Sequence, residues 1–195
     1  MLKIGLTGNI GSGKSYIGKL FSALGIPVYN SDGKARLMMD QNSLLMKRIK
    51  ESFGEKMYPD GLLDTQALAA IAFESKSKIE LLNSLVHPFV RDDFEKWCRQ
   101  QQDKPYAIIE SAIVFESGFN KMLDKVITVT APQNLRMERV KQRDGMTEEK
   151  FHARQQYQLT EEVKAAQSDF VIRNDGFHPL LKQITDIDSV IRNIA

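Results

Sequence analysis

Leu2-Lys3-Ile4-Gly5-Leu6-Thr7-Gly8-Asn9-Ile10-Gly11-Ser12-Gly13-Lys14-Ser15 decides the fold. Its first half is mostly apolar and runs into glycine, the pattern of a buried strand that delivers its carboxyl end into a loop. Its second half places Gly8, four residues, then Gly13-Lys14-Ser15, the Walker A spacing, between that strand and a following helical pattern. Glycines let successive backbone N–H groups turn inward, and the helix N-terminus adds partial positive charge, so the stretch suits a nucleotide's phosphates. On this reading Gly8, Gly11, Ser12 and Gly13 form the cradle, and Lys14 reaches the terminal phosphates. The Ser15 hydroxyl ligates a magnesium ion, and Tyr16 lies beside the nucleotide. A plain glycine turn would leave both the Gly-Lys-Ser ending and the strand–helix setting as coincidence.

Outward from the loop, Ile17, Leu20, Phe21 and Leu24 recur at helical spacing until Gly25, and Ile26-Pro27-Val28-Tyr29 reads as a second strand. Tyr106 to Glu110, Lys125 to Val129 and Asp169 to Ile172 complete five strand candidates. Between residues 31 and 102 apolar positions recur at three and four, interrupted near Gly54 to Leu63 and at Pro88, which predicts an inserted helical lobe. The pattern predicts one α/β domain over 1–195: a parallel five-stranded sheet with helices on both faces, and ligands at the carboxyl ends of the strands.

The bulk properties fit one core. Of 195 residues, 42% are hydrophobic, and 27 basic against 25 acidic side chains leave a formal charge of +2, too little to imply a nucleic-acid partner. The single cysteine, Cys98, cannot pair within the chain, so a reducing, cytoplasmic setting is expected. The amino-terminal apolar run is too short for a signal peptide, and no stretch reaches the roughly 18 apolar residues of a membrane span.

Candidate chemistry gathers around the loop. Asp32 follows the second strand, where a carboxylate could orient an acceptor hydroxyl and take its proton late; it fits equally well as the N-cap of the next helix. Glu110 ends the third strand, where acids support a metal or its water, or simply face solvent, and Glu116 lies in the loop beyond. Arg136, Arg139 and Arg143 share one side of a helix, with Arg154 on the next. Such a face is solvated in most proteins, but beside a phosphate loop it fits a closing lid, with Asp144-Gly145 as a hinge. His87 reads as a local cap, Trp97 and Phe94 as core of the inserted lobe, and three histidines with one cysteine do not predict a zinc site.

Taken in order, these motifs resemble the dephospho-coenzyme A kinase family over nearly the whole chain. The opening from Ile4 to Ser15 is similar to that family's pattern and differs in Asn9. Asp32 with Arg36, His87-Pro88, Glu116, Arg139 to Gly145, Arg154 with Gln158, and Asn174-Asp175-Gly176 match further on. The resemblance implies a P-loop kinase that uses ATP and magnesium to phosphorylate the ribose 3'-hydroxyl of dephospho-coenzyme A, the last step of coenzyme A synthesis. It implies Asp32 as base, Lys14, Arg139 and Arg143 as phosphate clamps, and Asn174 and Gly176 near adenine. Thr7, Asp32, Arg36, His87, Arg91, Glu110, Glu116 and Arg154 would line the acceptor site. Residues 31–102 would be the acceptor-binding insertion, and about 136–158 the lid of a monomer or small homo-oligomer. Two positions depart from the pattern: Asn30 where an acid is common, and Ala112 where a proline is. A single-carboxylate site is therefore expected.

Other classes share the loop. A GTPase switch needs an Asn-Lys-x-Asp guanine reader, but Asn120-Lys121-Met122-Leu123-Asp124 places its acid one residue late. Another small-molecule kinase would lack the His-Pro lobe, and a non-catalytic nucleotide-binding module would lack the acceptor.

Overall fold

The computed structural model describes residues 1–195. Five strands, β1 (Leu2–Thr7), β2 (Val28–Asn30), β3 (Tyr106–Glu110), β4 (Lys125–Thr130) and β5 (Phe170–Arg173), form one sheet in the order β2-β3-β1-β4-β5. All pairings are parallel. The central β1 pairs Leu6 with Glu110 on one side and with Ile127 on the other, and Asn30 at the end of β2 also pairs with Glu110. These registers bring the carboxyl ends of β1, β2 and β3 to one edge.

Alternation along the strands divides the faces. Ile4, Leu6, Ile108, Ile127 and Val129 are buried with Ile17 and Phe21 of helix α1 (Lys14–Ala23) and with Ile184, Ile187 and Ile191 of helix α9 (Leu180–Ile194). The Tyr106 hydroxyl donates to Asp188 at 2.6 Å, and Arg192 holds the same carboxylate. On the opposite face, Thr128 hydrogen-bonds Ser168 and the carbonyl of Lys164 at the end of α8 (Glu161–Gln167), so helices cover both sides. Helices α6 (Gln133–Asp144) and α7 (Glu148–Gln155) bridge β4 and α8. No helix is long and apolar enough to cross a membrane.

The chain divides into two compact units, Met1–Asn30 with Trp97–Ala195, and Ser31–Lys96. The second is helical: α2 (Ser31–Gln41), α3 (Ser43–Phe53), α4 (Thr65–Ala72) and most of α5 (Lys76–Arg99). Asn42 caps α3 by accepting from Leu45 N, and Asp64 caps α4 by accepting from Gln66 N and Ala67 N. Two short 3-10 turns, Glu55–Met57 and Pro59–Gly61, fill the interruption between them.

Two expectations change. Pro88 lies inside α5 and does not end it. The missing N–H costs one helical hydrogen bond, but Val86, Val90 and Phe94 are buried on one stripe across the proline and hold both halves in register. Trp97 is not core of the inserted lobe; its ring lies 5.4 Å from that of Tyr29 on β2, in the sheet unit.

Between β1 and α1, Gly11 adopts φ +81, and a Cβ there would lie 2.3 Å from the carbonyl oxygen of Arg136 on α6. Gly25 has the same φ but open space around it. Gly11→Ala is expected to lose stability by the conformational cost of about 1–3 kcal/mol that a left-handed non-glycine residue carries, shared with Gly25→Ala, and by a further clash that Gly25→Ala lacks. Urea denaturation of the two variants checks this, and equal losses would contradict the close packing of the loop under α6.

Candidate active site

The loop Gly8–Gly13 is built from backbone and held from outside by side chains. Asn174 Nδ2 donates to the Ser12 carbonyl at 2.8 Å, and Arg139 reaches the same oxygen at 3.5 Å while donating to the backbone and side-chain oxygens of Asn174. Arg136, a buried residue of α6, donates from Nε to the Ala131 carbonyl and from its NH1 nitrogen to the Ile10 carbonyl. On the other side, Ile10 N donates to Gln158 Oε1 at 3.0 Å and Asn9 Nδ2 to the Leu159 carbonyl at 3.1 Å. With those backbone atoms engaged, Thr7 Oγ1, Asn9 Oδ1 and Ser12 Oγ remain buried without a hydrogen-bond partner. Such a concentration of unspent polar capacity suits a ligand rich in hydrogen-bonding atoms.

At the mouth of the loop a cavity of about 270 Å³ is lined by Lys14, Ser15, Tyr16, Lys19, Arg139 and Arg143. Four of these six side chains are cationic, so the charge balance of the cavity fits phosphate. The Ser15 hydroxyl donates to Glu110 Oε1, joining the loop's last residue to the buried acid that ends β3. A hydroxyl beside a carboxylate supplies oxygen donors of the kind that hold magnesium and its water in phosphoryl-transfer sites.

Several expected site residues have other engagements. Arg136 is not part of an open basic face: burial lowers its pKa, with Glu161 at 3.7 Å opposing the shift, and its guanidinium stacks over Phe151. Arg143 is exposed and held by its neighbour Asp144, which raises its pKa. Glu116 accepts from Leu159 N at 2.7 Å and from the Lys164 ammonium at 2.9 Å, so its carboxylate serves the protein's own donors. Arg154 is exposed on α7. Asn174 packs against Gly13, and Gly176 stands at φ +88 with open space, next to the 90% exposed Phe177. Between them, backbone N–H groups of His178 and Phe177 hold the Asp175 carboxyl down at about 2.

In the helical unit, Asp32 lies within the first turn of α2, two residues past the end of β2, and not at an N-cap. Asp32 and Arg36 are both exposed, four residues apart on α2, while His87 and Arg91 stand four apart on α5 and are half-buried.

A family model described as dephospho-CoA kinase matches residues 2–179. The chain belongs to the dephospho-CoA kinase family. A dephospho-CoA kinase of Porphyromonas gingivalis is 38% identical over 193 residues, covering 98% of this chain and 95% of the relative. A solved structure from Thermus thermophilus has 30% identity and a TM-score of 0.84 over 100% of this chain and 98% of that one. The dephospho-CoA kinase of Campylobacter jejuni has 25% identity and a TM-score of 0.61 over 97% and 96%. The P-loop kinase fold expected from the opening motif is therefore present throughout this family member.

Two side chains at this family's loop escaped sequence reasoning. Lys19 could have been found, because it stands one helical turn past Ser15. Lys164 gave no signal: a lysine on a short helix that opens with Glu161-Glu162 reads as solvent-facing, yet it is fully buried.

Burial, reinforced by the Arg91 cation, lowers His87 from 6.5 to about 4. The unfolded chain takes up this proton below about pH 6.5 and the folded chain only near pH 4, so the associated stability is complete above 6.5 and is lost as pH falls toward 4. The melting temperature of the wild type should therefore drop more steeply across that window than that of His87→Gln. Parallel profiles would show that His87 does not contribute.

Proposed function

We propose that this chain transfers the γ-phosphoryl group of ATP to the ribose 3'-hydroxyl of dephospho-coenzyme A, releasing ADP and coenzyme A. The reading is carried by the backbone cradle Gly8–Gly13 with Lys14, Lys19, Arg139 and Arg143 around its mouth, in a family member matched over residues 2–179. Phosphoryl transfer needs little covalent help from a protein; positioning and neutralisation of charge supply most of the rate. The loop amides and Lys14 hold the β- and γ-phosphates, and Arg139, already fixed by Asn174, stands over them. Arg143 would exchange Asp144 for phosphate. Magnesium, when bound through Ser15 and supported by Glu110, would neutralise charge on the phosphates.

Asp32 is the proposed base. It orients the 3'-hydroxyl, whose oxygen forms the new bond to the γ-phosphorus as the bridging bond to the β-phosphate breaks; the electron pair leaves with ADP and the hydroxyl proton passes to Asp32. Asn30, which pairs with Glu110 at the end of β2, cannot take that proton, so one carboxylate carries the task. Arg36, His87, Arg91 and Arg154 would contact the acceptor, the helical unit serving its recognition. The enzyme is proposed to be cytoplasmic, as a monomer or small homo-oligomer.

The test is ADP release from ATP and magnesium with and without dephospho-coenzyme A, followed by mass analysis of the acceptor. One added phosphate on the ribose is expected. Asp32→Asn should retain ATP binding and lose about 10²–10⁴ in kcat. A variant rate near that of wild type would remove Asp32 from the role, and ADP released only with another acceptor would remove dephospho-coenzyme A.

A further inference from the structure

The turn between α7 and α8 touches the phosphate loop at two adjacent residues. Gln158 Oε1 accepts from Ile10 N, and the Leu159 carbonyl accepts from Asn9 Nδ2. Asn9 is 1% exposed, and its orientation is fixed, since turning the amide over would set two oxygens against each other at Leu159. A cavity of about 680 Å³ lies against the turn, lined by Asn9, Gln155, Gln156, Gln158 and Thr160 among others. What holds the turn from its far side is Glu116, which accepts from Leu159 N. Glu116 is in turn held by Lys164, whose fully buried ammonium also donates to the Ala112 carbonyl at 2.6 Å. Leu159 is therefore gripped at both backbone groups, its N–H by Glu116 and its C=O by the loop.

We propose that Glu116 and Asn9 are positioning residues for the phosphate loop, acting through the Gln158–Leu159 turn, with Lys164 as the counter-ion that fixes Glu116. Glu116 is then part of the nucleotide machinery without touching the nucleotide or the acceptor. An acceptor oxygen at position 116 matters more than its charge, because the bond that reaches the loop is the one from Leu159 N. Loosening the turn frees Asn9 and Ile10 together, so the loop spends less time in the conformation that presents its amides, and ATP binding weakens while acceptor binding does not.

The inference rests on the nucleotide-site reading above, and its test separates the two. Two double variants remove the buried ion pair without leaving a lone charge: Glu116→Gln/Lys164→Met keeps an acceptor for Leu159 N, and Glu116→Leu/Lys164→Met does not. Titration calorimetry with ATP and magnesium should show the first within about threefold of wild type and the second weakened about tenfold, the factor that loss of one well-formed hydrogen bond carries. Asn9→Ala, which leaves the ion pair untouched, should also weaken ATP about tenfold, with the KM for dephospho-coenzyme A within about twofold of wild type in every variant. Equal ATP affinities for the two double variants, or a fall in melting temperature with ATP affinity unchanged, would overturn the positioning role. If wild-type protein itself failed to bind ATP, the nucleotide-site reading would fall first and this inference with it.

Discussion

The close approach of the phosphate loop to α6 is the constraint on which the rest of the site depends. At Gly11 the backbone passes so near the Arg136 carbonyl that no side chain fits, and at Gly13 a Cβ would meet the Asn174 amide at 2.2 Å. Removing side chains lets the loop turn its N–H groups inward, but it also leaves a chain of high conformational freedom. Order is restored from outside by Asn174, Arg139, Arg136 and Gln158, all drawn from residues 136–174. The second half of the chain is therefore what makes the motif near its start into a binding site. At the loop itself, Thr7 Oγ1, Asn9 Oδ1 and Ser12 Oγ are left buried without a hydrogen-bond partner.

Charge follows the same division. Cations that must stay structural are buried and paired: Arg136 with Glu161, Lys164 with Glu116. Lys14, Lys19, Arg139 and Arg143 instead line the cavity at the loop's mouth. A buried pair contributes little net stability against a hydrophobic replacement, but removing one partner is costly, so such pairs fix geometry more than they add free energy. That is the physical sense in which Lys164 and Glu116 serve the loop.

Much of this was legible in the sequence, and the exceptions are instructive. The five strands were readable because each is a short apolar run ended by turn residues, and the loop because its spacing sits in a strand–helix setting. Pro88 misled because a local rule about one lost hydrogen bond was outweighed by a buried stripe on both sides of it. Arg136 shares a helical face with Arg139 and Arg143, and spacing cannot say that the first of the three lies beneath the loop. Lys164 was invisible for the same reason: its burial depends on Glu116 and Ala112, roughly fifty residues away in sequence. In the sequence Asn9 stands out only as a departure from a pattern, because its bond to Leu159 spans 150 residues.

The central claim is that backbone amides of the loop, held in place by distant side chains, are what grip the nucleotide. Amide hydrogen exchange over residues 8–15, with and without ATP and magnesium, tests it most directly. The account predicts strong additional protection of the Gly11 and Gly13–Ser15 amides on nucleotide binding, with little change at Ile10 and Ser12, whose N–H groups are already held by Gln158 and the Asn9 carbonyl. Nucleotide binding that left Gly11 and Gly13–Ser15 exchanging as fast as before would contradict it.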